Sequence, residues 1–132
     1  MWHKTKLLNA SLIFSTFIIF LEWGNENKLS YFLIEIEKEV VYQLLFGTHN
    51  VLHPFILFPL SAQIGLVCTL FQKKTNLWIS YYSIGLISIL VSIIFIGGLL
   101  TFNMKIIFST VPFYFLSFLQ LKRFNTMKKS KK

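Results

Sequence analysis

With 132 residues, 55% of them hydrophobic, 17% aromatic and only 14% charged, the chain is sized for one domain and too apolar for an ordinary water-soluble one. Lipid, unlike water, accepts apolar side chains all the way round a helix. The net charge of +8 does not point to nucleic acid, because ten of the thirteen basic residues flank apolar runs with no acidic residue beside them, as in the cytoplasmic loops of membrane proteins.

Residues 1–6 form a short basic start with Trp2, His3, Lys4 and Lys6, and an uncharged run follows until Glu22. Phe20-Leu21-Glu22-Trp23 offers no small-residue cleavage site, so residues 7–23 are expected to be an uncleaved first transmembrane helix. Trp23 would sit at the outer interface. Gly24-Asn25-Glu26-Asn27-Lys28 is a turn-rich break.

From Leu29 on, Leu29, Phe32, Leu33, Ile36, Val40 and Leu44 recur at helical spacing, while Glu35, Lys38, Glu39 and Tyr42 take another face. The spacing predicts an amphipathic helix over about 30–46, capped by Ser30, ended by Gly47 and lying along the outer interface. Its polar face is mainly acidic, which favours docking on protein over anionic lipid.

The second span is expected over about 51–71, with Pro54 opening it, Pro59 loosening its first turns and Gln63 making an interhelical hydrogen bond near mid-depth. Cys68 lies inside it and has no second thiol to pair with. Lys73-Lys74 mark a tight inner turn. The third span runs over about 77–100, with Trp78, Tyr81 and Tyr82 as an inner aromatic belt and Gly85, Ser88 and Ser92 as a small-residue face for a neighbouring helix. Thr101-Phe102-Asn103 makes the outer turn to a fourth span over about 104–121, which contains Pro112. Lys105 either snorkels to the surface or meets an outer glutamate. The basic tail 122–132 reads as disordered and cytoplasmic, in contact with anionic lipid.

The expected fold is therefore an all-α integral membrane protein: one polytopic domain over 1–132, with four transmembrane helices and one amphipathic interfacial helix between the first and second. Both termini lie in the cytoplasm. The abundance of Phe, Ile, Lys and Asn suits an AT-rich bacterial genome and hence a bacterial inner membrane.

Candidate chemistry gathers on the outer side. His49 and His53 are four apart, as are Glu22 and Glu26, and four such groups in one layer suit a divalent metal or a general-base pair. Against this, His53 precedes Pro54, which disfavours the helical conformation the spacing needs. Glu22, at the lip of the first span, is expected to pair with Lys28 or Lys105. Phosphate loops, nucleophile elbows, His-Glu-x-x-His and Cys-x-x-Cys motifs do not occur, and no cofactor is expected.

Three functions compete. The first is an accessory or assembly subunit of a membrane complex, presenting the outer amphipathic helix to another subunit. The second is an outer-face metal-binding protein or membrane enzyme built on Glu22, Glu26, His49 and His53. The third is a small transporter working as a homo-oligomer, with Gln63, Ser88 and Ser92 as polar lining.

Overall fold

A computed structural model of the chain describes residues 2–23, 29–47 and 54–130. In chain order these form α1 (Trp2–Phe17), β1 (Phe20–Trp23), β2 (Leu29–Phe32), α2 (Leu33–Phe46), α3 (Pro54–Phe71), α4 (Leu77–Leu100) and α5 (Met104–Lys129). The four long helices pack as a ring in the order α1, α3, α4, α5, and α2 lies against α1 and α3 from outside it. Neighbours run antiparallel: Asn9 meets Thr69 and Thr16 meets Gln63 across α1 and α3, and Ser92 meets Tyr114 across α4 and α5.

The first expected span is interrupted. α1 stops at Phe17, and residues 20–23 form a strand paired antiparallel with β2 in the register Phe20 with Phe32 and Glu22 with Ser30. Two local causes act together. The hydroxyls of Ser15 and Thr16 bond back to the carbonyls of Leu12 and Ile13 at 2.7 and 2.6 Å, which loosens the helix ladder. Beyond them Ile18-Ile19-Phe20-Leu21 is β-branched and aromatic, a composition that favours strand. Tertiary bonds fix the outcome: Leu33 N donates to Ile19 O at 2.8 Å and Phe20 N to Ser109 Oγ at 3.1 Å.

α2 begins three residues later than Ser30, with Glu35 Oε2 reaching back to accept from Phe32 N at 2.9 Å. Ser30 is therefore a strand residue, not the cap. The helix ends at Gly47 as expected, in the left-handed conformation with φ 87°. α3 opens at Pro54 and continues through Pro59. α4 has the boundaries read from sequence, capped by Asn76 Oδ1 accepting from Trp78 N at 3.0 Å. Thr101, Phe102 and Asn103 make the turn to α5, with Phe102 at φ 51° and Asn103 capping α5 by accepting from Lys105 N.

The tail is helical as far as Lys129, which corrects the expectation of disorder from residue 122. Phe124 and Met127 continue the inward stripe of α5 and are buried. Phe124 packs on Tyr81 with ring centroids 4.8 Å apart, and Arg123 Nε donates to Thr5 Oγ1 at 3.1 Å. These contacts give the extra turns a surface to fold on.

Among the described residues, α4 and α5 are long and apolar enough to cross a membrane, while Leu57–Phe71 is apolar but shorter. Two such helices, not the four expected, are evident by length and composition, because α1 stops at Phe17 and the apolar helix Leu57–Phe71 is short. The distribution of side chains is nonetheless unusual. On α1 the buried stripe is Thr5, Asn9, Leu12 and Thr16, and the exposed side carries Leu7 and Phe14. On α5, Thr110, Ser117 and Gln120 are buried, while Phe108, Phe115 and Phe118 are exposed.

Candidate functional site

Two layers of polar side chains lie inside the bundle. The inner layer centres on Asn9, which is fully buried. Its Nδ2 donates to Thr69 Oγ1 at 2.8 Å and to Ser80 Oγ at 3.1 Å, and its Oδ1 accepts from Gln120 Nε2. One side chain from each of α1, α3, α4 and α5 thus meets at a single amide. Gln120 Nε2 also donates to Thr5 O at 3.2 Å, and the Thr5 hydroxyl links Arg123 to the sulfur of Met127. Gln120 Oε1 and the neighbouring Ser117 Oγ are buried with no protein partner.

The outer layer is smaller and contains an acid. Gln63 Nε2 donates to Thr16 Oγ1 at 3.0 Å and to Glu37 Oε1 at 2.7 Å. The expected interhelical hydrogen bond of Gln63 is therefore present, made to Thr16 on α1 and, beyond the expectation, to Glu37 on α2. Glu37 joins it because Leu33, Glu37 and Val40 form the inward face of α2, one helical stripe by spacing. Burial pushes the Glu37 carboxyl up from its usual 4.5 to about 7, and the hydrogen bond from Gln63 opposes that rise. The apolar side chains Leu12, Leu66, Ile84 and Ile87 belong to the core that these layers share.

Of the candidate residues read from sequence, Glu26, His49 and His53 lie outside the described residues. Glu22 is described: its Oε2 accepts from Asn103 Nδ2 at 2.8 Å, and the two residues line an open depression of about 430 Å³ together with Lys105. Asn103 therefore serves twice, capping α5 and holding the strand that carries Glu22. Among the described residues no group of three or more His, Cys, Asp or Glu side chains is placed to hold a metal ion.

The small-residue face of α4 meets a neighbouring helix at Ser92 but not at Gly85. A Cβ at Gly85 would meet nothing within 4 Å, whereas one at Gly65 would lie 2.5 Å from Ser83 Oγ and one at Gly98 2.9 Å from Ile106 Cγ2. The close approaches of α4 are made through Ser83 and Gly98, because its inward stripe runs through Ser80, Ser83, Ile87, Val91 and Ile94. Ser92, a proposed lining residue, bonds Tyr114 Oη at 2.9 Å, and Ser88 is half-buried.

Sequence reasoning missed Asn9 and Glu37. A signal for the first existed: Thr5, Asn9 and Thr16 recur with Leu12 at helical spacing in an otherwise apolar run. For Glu37 the sign of the charge pointed outward, and only the packing of α2 turned it in. Compared with protein-family models, with curated proteins and with solved structures, the chain matches none of them.

Proposed function

We propose that the chain crosses a bacterial inner membrane four times, with both termini cytoplasmic, and serves as an accessory or assembly subunit that offers α2 to another membrane protein on the outer side. The membrane part is supported by large apolar side chains exposed on the outer sides of α1, α4 and α5 while polar ones such as Asn9, Gln63 and Gln120 are buried, an arrangement that lipid tolerates. Reach agrees with it. α4, at 24 residues, is about 36 Å long, against about 30 Å for a hydrocarbon core. α1 with 16 residues and β1 with 4 together reach about 37 Å, so a helix completed by a strand covers the same depth. Part of β1 then lies at hydrocarbon depth, where β2 pairs one edge and Ser109 Oγ accepts from Phe20 N.

Orientation follows from charge. Lys4, Lys6, Lys73, Lys74, Lys122 and Arg123 gather at the end of the bundle that holds the inner layer, while Glu22, Glu35, Glu37 and Glu39 lie at the other. Retention of basic residues puts the first end in the cytoplasm. Trp78 and Tyr82 are exposed near the basic end, at the depth of an aromatic belt.

The observation that carries the subunit reading is the outer face of α2. Tyr42, Leu44, Leu45 and Phe46 are exposed there, beside exposed Glu35 and Glu39. An apolar patch beside two carboxylates and one lysine, Lys38, is net acidic and suits a protein partner better than an anionic lipid surface. Purification in gentle detergent from the native membrane tests it. The expected result is a complex larger than the chain, lost in a Leu45→Glu, Phe46→Glu variant; a lone chain in both cases removes the proposal.

A further inference from the structure

Glu37 is the one buried ionisable side chain among the described residues. It belongs to α2, the helix outside the ring, and its carboxyl reaches Gln63 on α3, which also holds Thr16 on α1. No described charge faces it. On α1 nothing from Leu7 to Phe17 is ionisable; α3 carries only Cys68, which is exposed; β2 offers only Tyr31. On α2 itself Glu35, Lys38, Glu39 and Tyr42 are exposed. A carboxylate here would have one neutral donor and no counter-charge, whereas a protonated carboxyl loses little on entering such a place.

The attachment of α2 is slight. Its buried residues are Leu33, Glu37 and Val40, and Leu44, Leu45 and Phe46 beyond them are exposed. Glu37 thus sits between Leu33 and Val40 in a small contact that Ile36 and Gln43 extend half-buried, so its charge state weighs heavily on whether α2 stays down.

We infer that Glu37, Gln63 and Thr16 form a proton-binding site that governs the docking of α2 on α1 and α3. With the proton bound, the carboxyl stays against Gln63 and α2 closes over the Thr16 and Gln63 pair. When the proton leaves to water, the carboxylate draws α2 away and uncovers both. The upward displacement of the Glu37 carboxyl to about 7 places the change near neutral pH. This inference goes beyond the subunit reading and holds whether or not another protein docks on α2.

Cysteine accessibility in the full chain tests it, with the protein in zwitterionic lipid nanodiscs and Cys68→Ala as background. Val40→Cys reports the buried face and Leu45→Cys the exposed one, and their labelling-rate ratio cancels the titration of the thiol. From about pH 5.5 to about pH 8.5 the ratio is expected to rise about tenfold, and to stay low throughout when Glu37→Gln is added. A ratio that is flat with pH, or that rises equally with Glu37→Gln, overturns the proposal. Infrared difference spectra of the Cys68→Ala chain, otherwise unaltered, add a readout independent of the glutamine variant. A protonated-carboxyl band that disappears over the same pH range is expected, and its absence overturns the proposal too.

Discussion

The two polar layers hold the same helices together by different means. The inner one joins four helices through amides and hydroxyls around Asn9, groups that keep their hydrogen bonds at any ordinary pH. The outer one joins α1, α3 and the peripheral α2 through a carboxyl, whose bonding depends on a proton. Neutral polar groups make a permanent fastening inside an apolar shell, and an ionisable group makes a conditional one. The chain places the permanent fastening within the ring and the conditional one on the helix that can leave it.

The harshest way to break this comparison is at its neutral centre. Asn9→Ala removes three hydrogen bonds and leaves Thr69, Ser80 and Gln120 short of a partner, so it should destabilise the bundle by about 3 kcal/mol, the upper range for orphaned buried polar groups. Unfolding in mixed micelles of increasing denaturing detergent measures this, and the loss should be equal at acidic and neutral pH. On the other side of the comparison, Gln63→Leu should cost about 2 kcal/mol, because it strands Thr16 and Glu37 together. It should also push the Glu37 carboxyl higher still, since the one hydrogen bond that lowers it disappears.

The pH dependence sharpens the contrast. Because the folded-state value of Glu37 is raised from 4.5 to about 7, its contribution to stability is complete below about pH 4.5 and lost as pH rises through about 7. The same unfolding curves should therefore shift to lower denaturant on going from acidic to neutral pH, and Glu37→Gln should flatten that slope. The smallest effects separate packing from surface. Gly65→Ala drives a Cβ against Ser83 between the two layers and should cost about 1 kcal/mol. Gly85→Ala meets open space and should stabilise α4 by about 0.5–1 kcal/mol through helix propensity.

Much of this architecture is legible in the amino-acid sequence. The apolar run of 77–100, the stop at Gly47, the turn at Thr101–Asn103 and the hydrogen-bonding role of Gln63 all follow from local chemistry: a glycine, a cap, a single amide in an apolar helix. The break after Phe17 does not. Ile18 to Leu21 is apolar either as helix or as strand, and periodicity cannot separate the two in so short a run. The same ambiguity hides the tail, where two apolar residues three apart become a helix stripe only once Tyr81 and Thr5 stand beside them.

What the sequence by itself determined is the helical class, the bounds of the apolar helix Leu77–Leu100 and the clustering of basic residues beside apolar runs, because each depends on side chains close together in the chain. Only the tertiary structure decided which faces turn inward. In a chain whose helices are apolar on their outer sides as well, hydrophobicity does not mark the core. Asn9 and Glu37 are buried because partners 26 to 111 residues away in sequence satisfy their polar atoms, and such partners exist only once the helices have met.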